Sequence, residues 1–376
     1  MRQLLSAAEA HREWAVSVVK NLVHLESPST DKVALDRCGG ELARLLSGLG
    51  GSVTPLPQTT AGDHLRAEFG RSDTQVLVLG HFDTVWPVGQ IESMPLRRED
   101  GRLYGPGTYD MKAGIAIAML AVRVLTETAR QCRHRIVLLL TTDEEIGSAT
   151  SRPIIEAEAR KSRAVFVLEP ALGAGGVKTA RKGIADYRIE ARGVAAHAGV
   201  EPERGASAIH ELIWQAARLS DLADPSRGLT INIGRISGGT RSNVVAESAE
   251  MGVDVRIPTL ADAERVGAAV TSLTPKNPRV TLRVEGGVNR PPMERTPAVV
   301  ALYEQARALA AELGVELAEG ATGGVSDGNF AAALGVPVLD GLGAIGAGAH
   351  AVDEHIVIDS LALRGALLAG LFVHVI

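Results

Sequence analysis

The sequence predicts an α/β protein: a mixed but mostly parallel sheet flanked by helices, interrupted by an inserted α+β domain. Three observations carry this. The runs 76–79, 136–140, 165–168 and 336–339 are continuously apolar and short, as strands buried on both faces are. A helical pattern over 113–125 separates the first two runs, and strand–helix alternation favours a parallel layer. Across 183–291 the pattern changes to apolar and polar residues in alternation, the mark of strands with one solvated face.

The elements follow in order. Trp14, Val18, Val19, Leu22 and Leu25 recur at helical spacing, and Leu42, Leu45, Leu46 and Leu49 form a second helix stopped by Gly50-Gly51. The four apolar runs and helix 113–125 build the main layer. Within the insertion, 185–191 is a half-buried strand. A helix over 206–222 follows, with Ile209, Leu212, Ile213, Ala216 and Leu219 on one face. Strands 229–236 and 249–257, a helix over 261–273 and a strand over 280–284 complete a βαββαβ order, which makes an open sheet with two helices on one face. Helix 297–313 and the strand near Val336 resume the main layer. The expected domains are 1–182 with 292–376, and the insertion 183–291.

Composition narrows the function. A chain of 376 residues is long for one core. Net charge is −5, and no basic cluster alternates with aromatics, so nucleic acid is not an expected partner. Two cysteines, Cys38 and Cys132, cannot build a disulfide framework. The opening MRQLLSAAEAHREW carries charged residues throughout and does not read as a signal peptide. No apolar run is long enough to span a membrane. A cytoplasmic location is expected.

The chemistry sits where the strands end. Run 76–79 leads into Gly80-His81-Phe82-Asp83, run 136–140 into Thr141-Thr142-Asp143-Glu144-Glu145, and run 165–168 into Glu169-Pro170. Run 336–339 precedes the glycine-rich stretch that reaches His350. In open α/β sheets ligands bind beyond the carboxyl ends of the strands. A single acid at a strand end is ordinarily a solvated residue or a helix cap. Two histidines and several acids converge at one edge, where the crowded carboxylates would repel unless a pair of divalent cations relieved them. Imidazole with carboxylate suits Zn²⁺, with Mn²⁺ or Co²⁺ as alternatives. Asp83, two residues from His81, can fix the other ring nitrogen. Asp110 stands where helix 113–125 begins and could bridge two ions. Glu144 and Glu145 are neighbours, so one can bind metal while the other takes a proton.

These residues resemble the M20 family of di-zinc peptidases and amidohydrolases, especially its glutamate carboxypeptidase branch. The likeness rests on Gly80-His81-Phe82-Asp83-Thr84-Val85, Gly105-Pro106-Gly107-Thr108-Tyr109-Asp110-Met111-Lys112, Thr142-Asp143-Glu144-Glu145-Ile146-Gly147, Leu168-Glu169-Pro170 and Gly348-Ala349-His350. It implies a zinc-exopeptidase-like layer with a ferredoxin-like lid. It further implies two Zn²⁺, one on His81 and Glu169, the other on Glu145 and His350, with Asp110 between them. Glu144 would serve as general base and Asp83 would orient His81. The bond Asp110–Met111 becomes a candidate cis peptide.

The resemblance also makes 183–291 a lid through which the chain forms a homodimer. His197, in Val194-Ala195-Ala196-His197-Ala198-Gly199, would reach the partner's site and stabilise the oxyanion. Asn243 and Arg256 match substrate-binding motifs, and an arginine fork suits a carboxylate. Gly324 and Ser326 would lie in a glycine-rich loop near substrate. Lys178, Arg181 and Arg290 would add positive charge for an acidic leaving residue. The implied reaction is attack of a zinc-bridging hydroxide on an amide beside a free carboxylate. It would release a C-terminal amino acid, with glutamate a candidate, from an N-acyl amino acid or short peptide. N-acyl-amino-acid deacylation is the alternative within the family, and a non-catalytic metal-binding dimer the alternative outside it.

Two motifs compete. Gly324-Val325-Ser326-Asp327-Gly328 fits a serine-hydrolase elbow, but glycines rather than a strand precede the serine. Gly341-Leu342-Gly343-Ala344-Ile345-Gly346 fits a dinucleotide fingerprint, but no helical period follows it. Both are expected to be loops.

Overall fold

The computed structural model describes residues 1–375. The chain divides into two units: 1–180 with 295–322 and 326–376, and 181–294 with 323–325.

The first unit is built on a six-stranded sheet. Across it lie Ser52–Leu56, His64–Phe69, Arg135–Thr141, Gln75–His81, Ser162–Val167 and Val338–Leu339. The last four run parallel, and His64–Phe69 runs antiparallel to both of its neighbours. Every residue of Gln75–His81 is buried, as the apolar run 76–79 at its centre requires of a strand covered on both faces. Helix Ala113–Glu127 is buried on nearly all sides. So is helix Ser360–His374, which packs along it. Helices apolar all round belong inside a core. From Gln75–His81 the chain crosses to Arg135–Thr141 on one side, then passes back to Ser162–Val167 on the other. That reversal opens a crevice at the carboxyl end of Gln75–His81.

A second, antiparallel sheet joins Gly346–Ala347, His355–Val357, Arg102–Tyr104 and Arg97–Glu99. It brings the turn containing His350 beside the segment leading to Asp110.

The second unit holds Thr230–Gly238, Ser248–Ile257, Gly183–Arg192 and Thr281–Arg290 as an antiparallel sheet in that order. Burial alternates along Gly183–Arg192 and Ser248–Ile257. Helices Ala208–Ser220 and Leu260–Thr271 pack on it, around Tyr187, Ile189, Leu212, Met251, Val253 and Val266. Ser207 and Thr259 cap them, their side chains accepting from the N–H groups of His210 and Asp262.

Some elements depart from expectation. The late strand is only Val338–Leu339: Gly335 turns with φ 80°, and Pro337 has no N–H for a ladder. Strands Ser52–Leu56 and His64–Phe69, the sheet around Arg102–Tyr104 and helix Ser360–His374 carried no sequence signal strong enough to be expected. Among the described residues no helix is long and apolar enough to cross a membrane.

Candidate metal centre

His81 is the last residue of its strand, level with Thr141 on the neighbouring one. Its Nδ1–H donates to the main-chain oxygen of Asp83 at 3.0 Å, which turns Nε2 toward Asp110 and Glu169. The Asp83 carboxylate stands slightly farther, Oδ1 at 3.4 Å from Nδ1. It accepts from Ser29 Oγ at 2.8 Å and from the N–H groups of Glu144 and Glu145 at 3.3 and 3.2 Å. Asp83 therefore orients His81 chiefly through its backbone, and its side chain holds the Glu144–Ile146 turn.

Asp110 lies in the irregular turn Thr108–Lys112, entered through Gly107 at φ 69°. A Cβ on Gly107 would stand 2.7 Å from Thr84 Cγ2, so glycine is required on both counts. The Asp110–Met111 peptide is cis. Lys112, fully buried, donates through Nζ to Leu22 O at 2.9 Å and anchors the turn to the end of helix Arg12–His24.

Asp110 stands between two imidazoles. Its Oδ1 is 3.3 Å from His81 Nε2, and its Oδ2 is 3.4 Å from His350 Nε2. Glu169 Oε1 is 3.6 Å from His81 Nε2, and Glu145 Oε1 is 3.1 Å from His350 Nε2. Ligand-type atoms thus gather as His81–Asp110–Glu169 and Asp110–Glu145–His350, each set within 4.8 Å, with Asp110 common to both. His350 sits in a left-handed conformation, φ 60°, uncommon for a residue with a side chain. Glu169 follows Leu168, the first residue past strand Ser162–Val167, whose N–H donates to Leu79 O. Gly114 makes this approach close: a Cβ there would fall 2.1 Å from Leu168 O.

The donors fit divalent metal. Asp110 Oδ1 is buried and makes no hydrogen bond of acceptable geometry, although His81 is near. Burial disfavours a proton on His81, yet its contacts with Asp110, Asp83 and Glu169 push its pKa well above the usual value. Asp110 and Glu145 push His350 up to about 10. Burial alone would raise the Asp110 pKa, but the two histidines hold it far below the carboxylate range. Such a site demands positive charge, which the imidazoles take up as protons when no cation supplies it.

The remaining candidates lie as follows. Glu144 is half-buried at the head of its turn. In the second unit His197 is exposed, its Nδ1 accepting from Gly199 N at 3.1 Å, and Asn243 O accepts from the N–H of Ala198. Arg256 pairs Nε and Nη2 with Asp254 at 2.9 and 3.0 Å, so a substrate carboxylate would compete with Asp254 for the fork. Arg181 is buried and donates through Nη1 to the carbonyls of Gly324 and Val325. Arg290, also buried, donates to Asn289 Oδ1.

In the first unit Lys178 is buried and exchanges backbone hydrogen bonds with Asp340. Ser326 is fully buried, and its hydroxyl donates to Asp340 Oδ2 at 2.7 Å rather than to a histidine. The stretch 341–346 leads into the short strand Gly346–Ala347 instead of a helix, so neither competing motif forms its site.

Sequence reasoning missed three supports. Glu354 accepts from the N–H groups of Gly107, Tyr109 and Asp110. Asp327 accepts from Thr141 and Ser148 on either side of the Glu144–Ile146 turn. Arg364, fully buried, donates to the carbonyls of Gly175, Gly341 and Gly343. Most of these bonds reach the backbone, which leaves no pattern in residue type.

The chain is similar to known proteins over most of its length. The sequence model of peptidase family M20/M25/M40 matches residues 77–374. The chain is 30% identical over 379 residues to carboxypeptidase G2 of Pseudomonas sp. (strain RS-16), covering 98% of this chain and 91% of that one. It is 30% identical over 329 residues to the succinyl-diaminopimelate desuccinylase of Dechloromonas aromatica (strain RCB), covering 81% and 84%. Its fold is similar to that of an aminopeptidase from Bacillus cereus (TM-score 0.78, 24% identity, 96% and 98% of the two chains). An M20 family metallo-carboxypeptidase from Sulfolobus solfataricus is also similar (TM-score 0.67, 17% identity, 96% and 98%).

Proposed function

Because the chain belongs to peptidase family M20/M25/M40 and is a metallohydrolase, we propose that it uses two zinc ions to cleave an amide beside a free carboxylate, releasing a C-terminal amino acid. The observation that carries this reading is Asp110, shared between the His81–Glu169 and Glu145–His350 groups. Those five residues would hold the ions. When bound, the ions supply positive charge that polarises a carbonyl and lowers the pKa of water.

The chain's own groups do the rest. Glu144 takes the proton of the attacking water and returns it to the departing nitrogen, one carboxylate acting as base and then as acid. Asp83 keeps Glu144 and Glu145 in register by accepting both their N–H groups. The second unit acts as a lid and dimerisation domain, and His197, supplied by the partner subunit, donates to the oxyanion. Asn243 and Arg256 hold the substrate carboxylate. Gly324 lines the approach, with Ser326 buried behind it on Asp340, and Lys178, Arg181 and Arg290 favour an acidic leaving residue such as glutamate. The similarity to a carboxypeptidase supports this substrate class. A second reading, deacylation of N-acyl amino acids, draws on the similarity to desuccinylases.

The test is a screen of zinc-loaded protein against dipeptides and N-acyl amino acids with varied C-terminal residues, before and after chelation. Chelator-sensitive turnover that depends on the C-terminal residue is expected. Turnover that survives complete metal removal would overturn the reading.

A further inference from the structure

We propose that Glu354 is a positioning residue that fixes Asp110 relative to His350, and so sets the affinity of the centre for metal. This rests on the reading of Asp110 and His350 as metal ligands.

Glu354 is fully buried. Its two oxygens accept four hydrogen bonds, all from N–H donors. Oε2 takes those of Gly107 at 2.8 Å and the Trp86 indole at 2.9 Å; Oε1 takes those of Tyr109 at 2.9 Å and Asp110 at 3.0 Å. Successive backbone N–H groups converging in a turn form a nest for an anion. Here the anion is a side chain of the same protein. An ionised carboxylate is the side chain able to accept at both ends.

The backbone of Glu354 closes the other ligand's loop. Its N–H donates to Ala351 O at 3.0 Å, and the N–H of Ala351 donates to Gly348 O at 2.9 Å, around His350. Its carbonyl accepts from Gly105 N at 3.2 Å. Gly348, at φ 79°, lies so close that a Cβ would be 2.9 Å from Glu354 Cα. One residue therefore grips two segments far apart in sequence, each carrying a ligand-type side chain. What it grips at one end is the amide of Asp110 itself, so loosening it displaces a carboxylate common to both groups.

The experiment measures zinc affinity of the full chain by competition with a chelating dye, alongside the rise in Tm on adding zinc. Glu354→Gln turns an NH₂ group toward N–H donors. It is expected to weaken zinc binding about 10- to 100-fold, the usual cost of losing support behind a metal ligand, and to shrink the zinc-dependent rise in Tm. Trp86→Phe removes one donor and leaves the backbone bonds, so a smaller loss of affinity in the same direction is expected. Glu158→Gln, a carboxylate bonded to Gln75 and Lys161, serves as control: a lower metal-free Tm with unchanged affinity.

Wild-type affinity in Glu354→Gln, with only the metal-free Tm reduced, would overturn the assignment. If that variant does not fold, wild-type affinity in Trp86→Phe overturns it. Failure of the unmutated protein to bind zinc would instead sink the metal-centre reading, and this inference with it.

Discussion

Asp83 Oδ2 accepts the N–H of Glu145 at 3.2 Å, which ties the residue beside His81 to the turn bearing Glu145. The same carboxylate accepts the N–H of Glu144 at 3.3 Å. Asp83→Asn puts an amide NH₂ where an acceptor is needed, leaving one half-buried N–H unpaired. A fall in kcat of about 10- to 100-fold is expected, by analogy with other supports of metal sites, with KM changed less. Unchanged kcat at full metal content would show that the turn holds itself.

Glu144→Ala removes the assigned proton carrier and leaves the five ligand-type side chains. Turnover should fall by about 10²- to 10⁴-fold, the range for general acid–base catalysis, while bound metal per chain, measured by elemental analysis, stays constant. Loss of metal along with activity would mark Glu144 as a ligand instead.

His197→Ala should lower kcat with metal content intact. Mixing it with Glu144→Ala, under conditions that exchange subunits, should restore part of the activity if the histidine serves the partner's site. Two inactive variants that stay inactive together would count against trans action.

Gly114→Ala places a methyl 2.1 Å from Leu168 O, and neither backbone segment can yield without moving Glu169. A loss of about 1–3 kcal/mol is expected from overpacking, read as a lower denaturant midpoint, together with weaker metal binding.

Glu158 sets a pH limit. Burial would raise its pKa, but hydrogen bonds from Gln75, Lys161 and Arg66 together prevail and hold it at about 2, below the ordinary 4.5. A depressed carboxylate stabilises the fold fully above its unfolded pKa and loses that contribution as pH falls toward the folded one. Glu158→Gln should therefore be less stable than the unmutated chain at neutral pH. The gap should close between pH 4.5 and 2. A gap independent of pH would show that packing alone is involved.

The sequence made part of the centre legible for a physical reason. Strands buried on both faces read as plain apolar runs, so the polar residues after them, His81, Glu145 and Glu169, stand out. Asp110 was identifiable only by its position at a helix start and by resemblance. Glu354 and Arg364 were not, because all their partners but the Trp86 indole are main-chain groups and their sequence neighbourhoods have no periodicity. The Asp83 contact to Glu144 depends on sheet register, which no local pattern encodes. Helix Ser360–His374 escaped because a helix apolar all round shows no amphipathic stripe.

That helix has a consequence during synthesis. It covers Ala113–Glu127, so an early segment rich in Ala, Ile, Leu and Val leaves the ribosome long before its cover exists. The second unit has its own core. Helices Arg2–Ala10 and Arg12–His24, already made, cover only part of Ala113–Glu127, so the nascent chain carries a half-covered apolar helix until residues 360–374 have emerged, and holdase chaperones would find their target at residues 113–127.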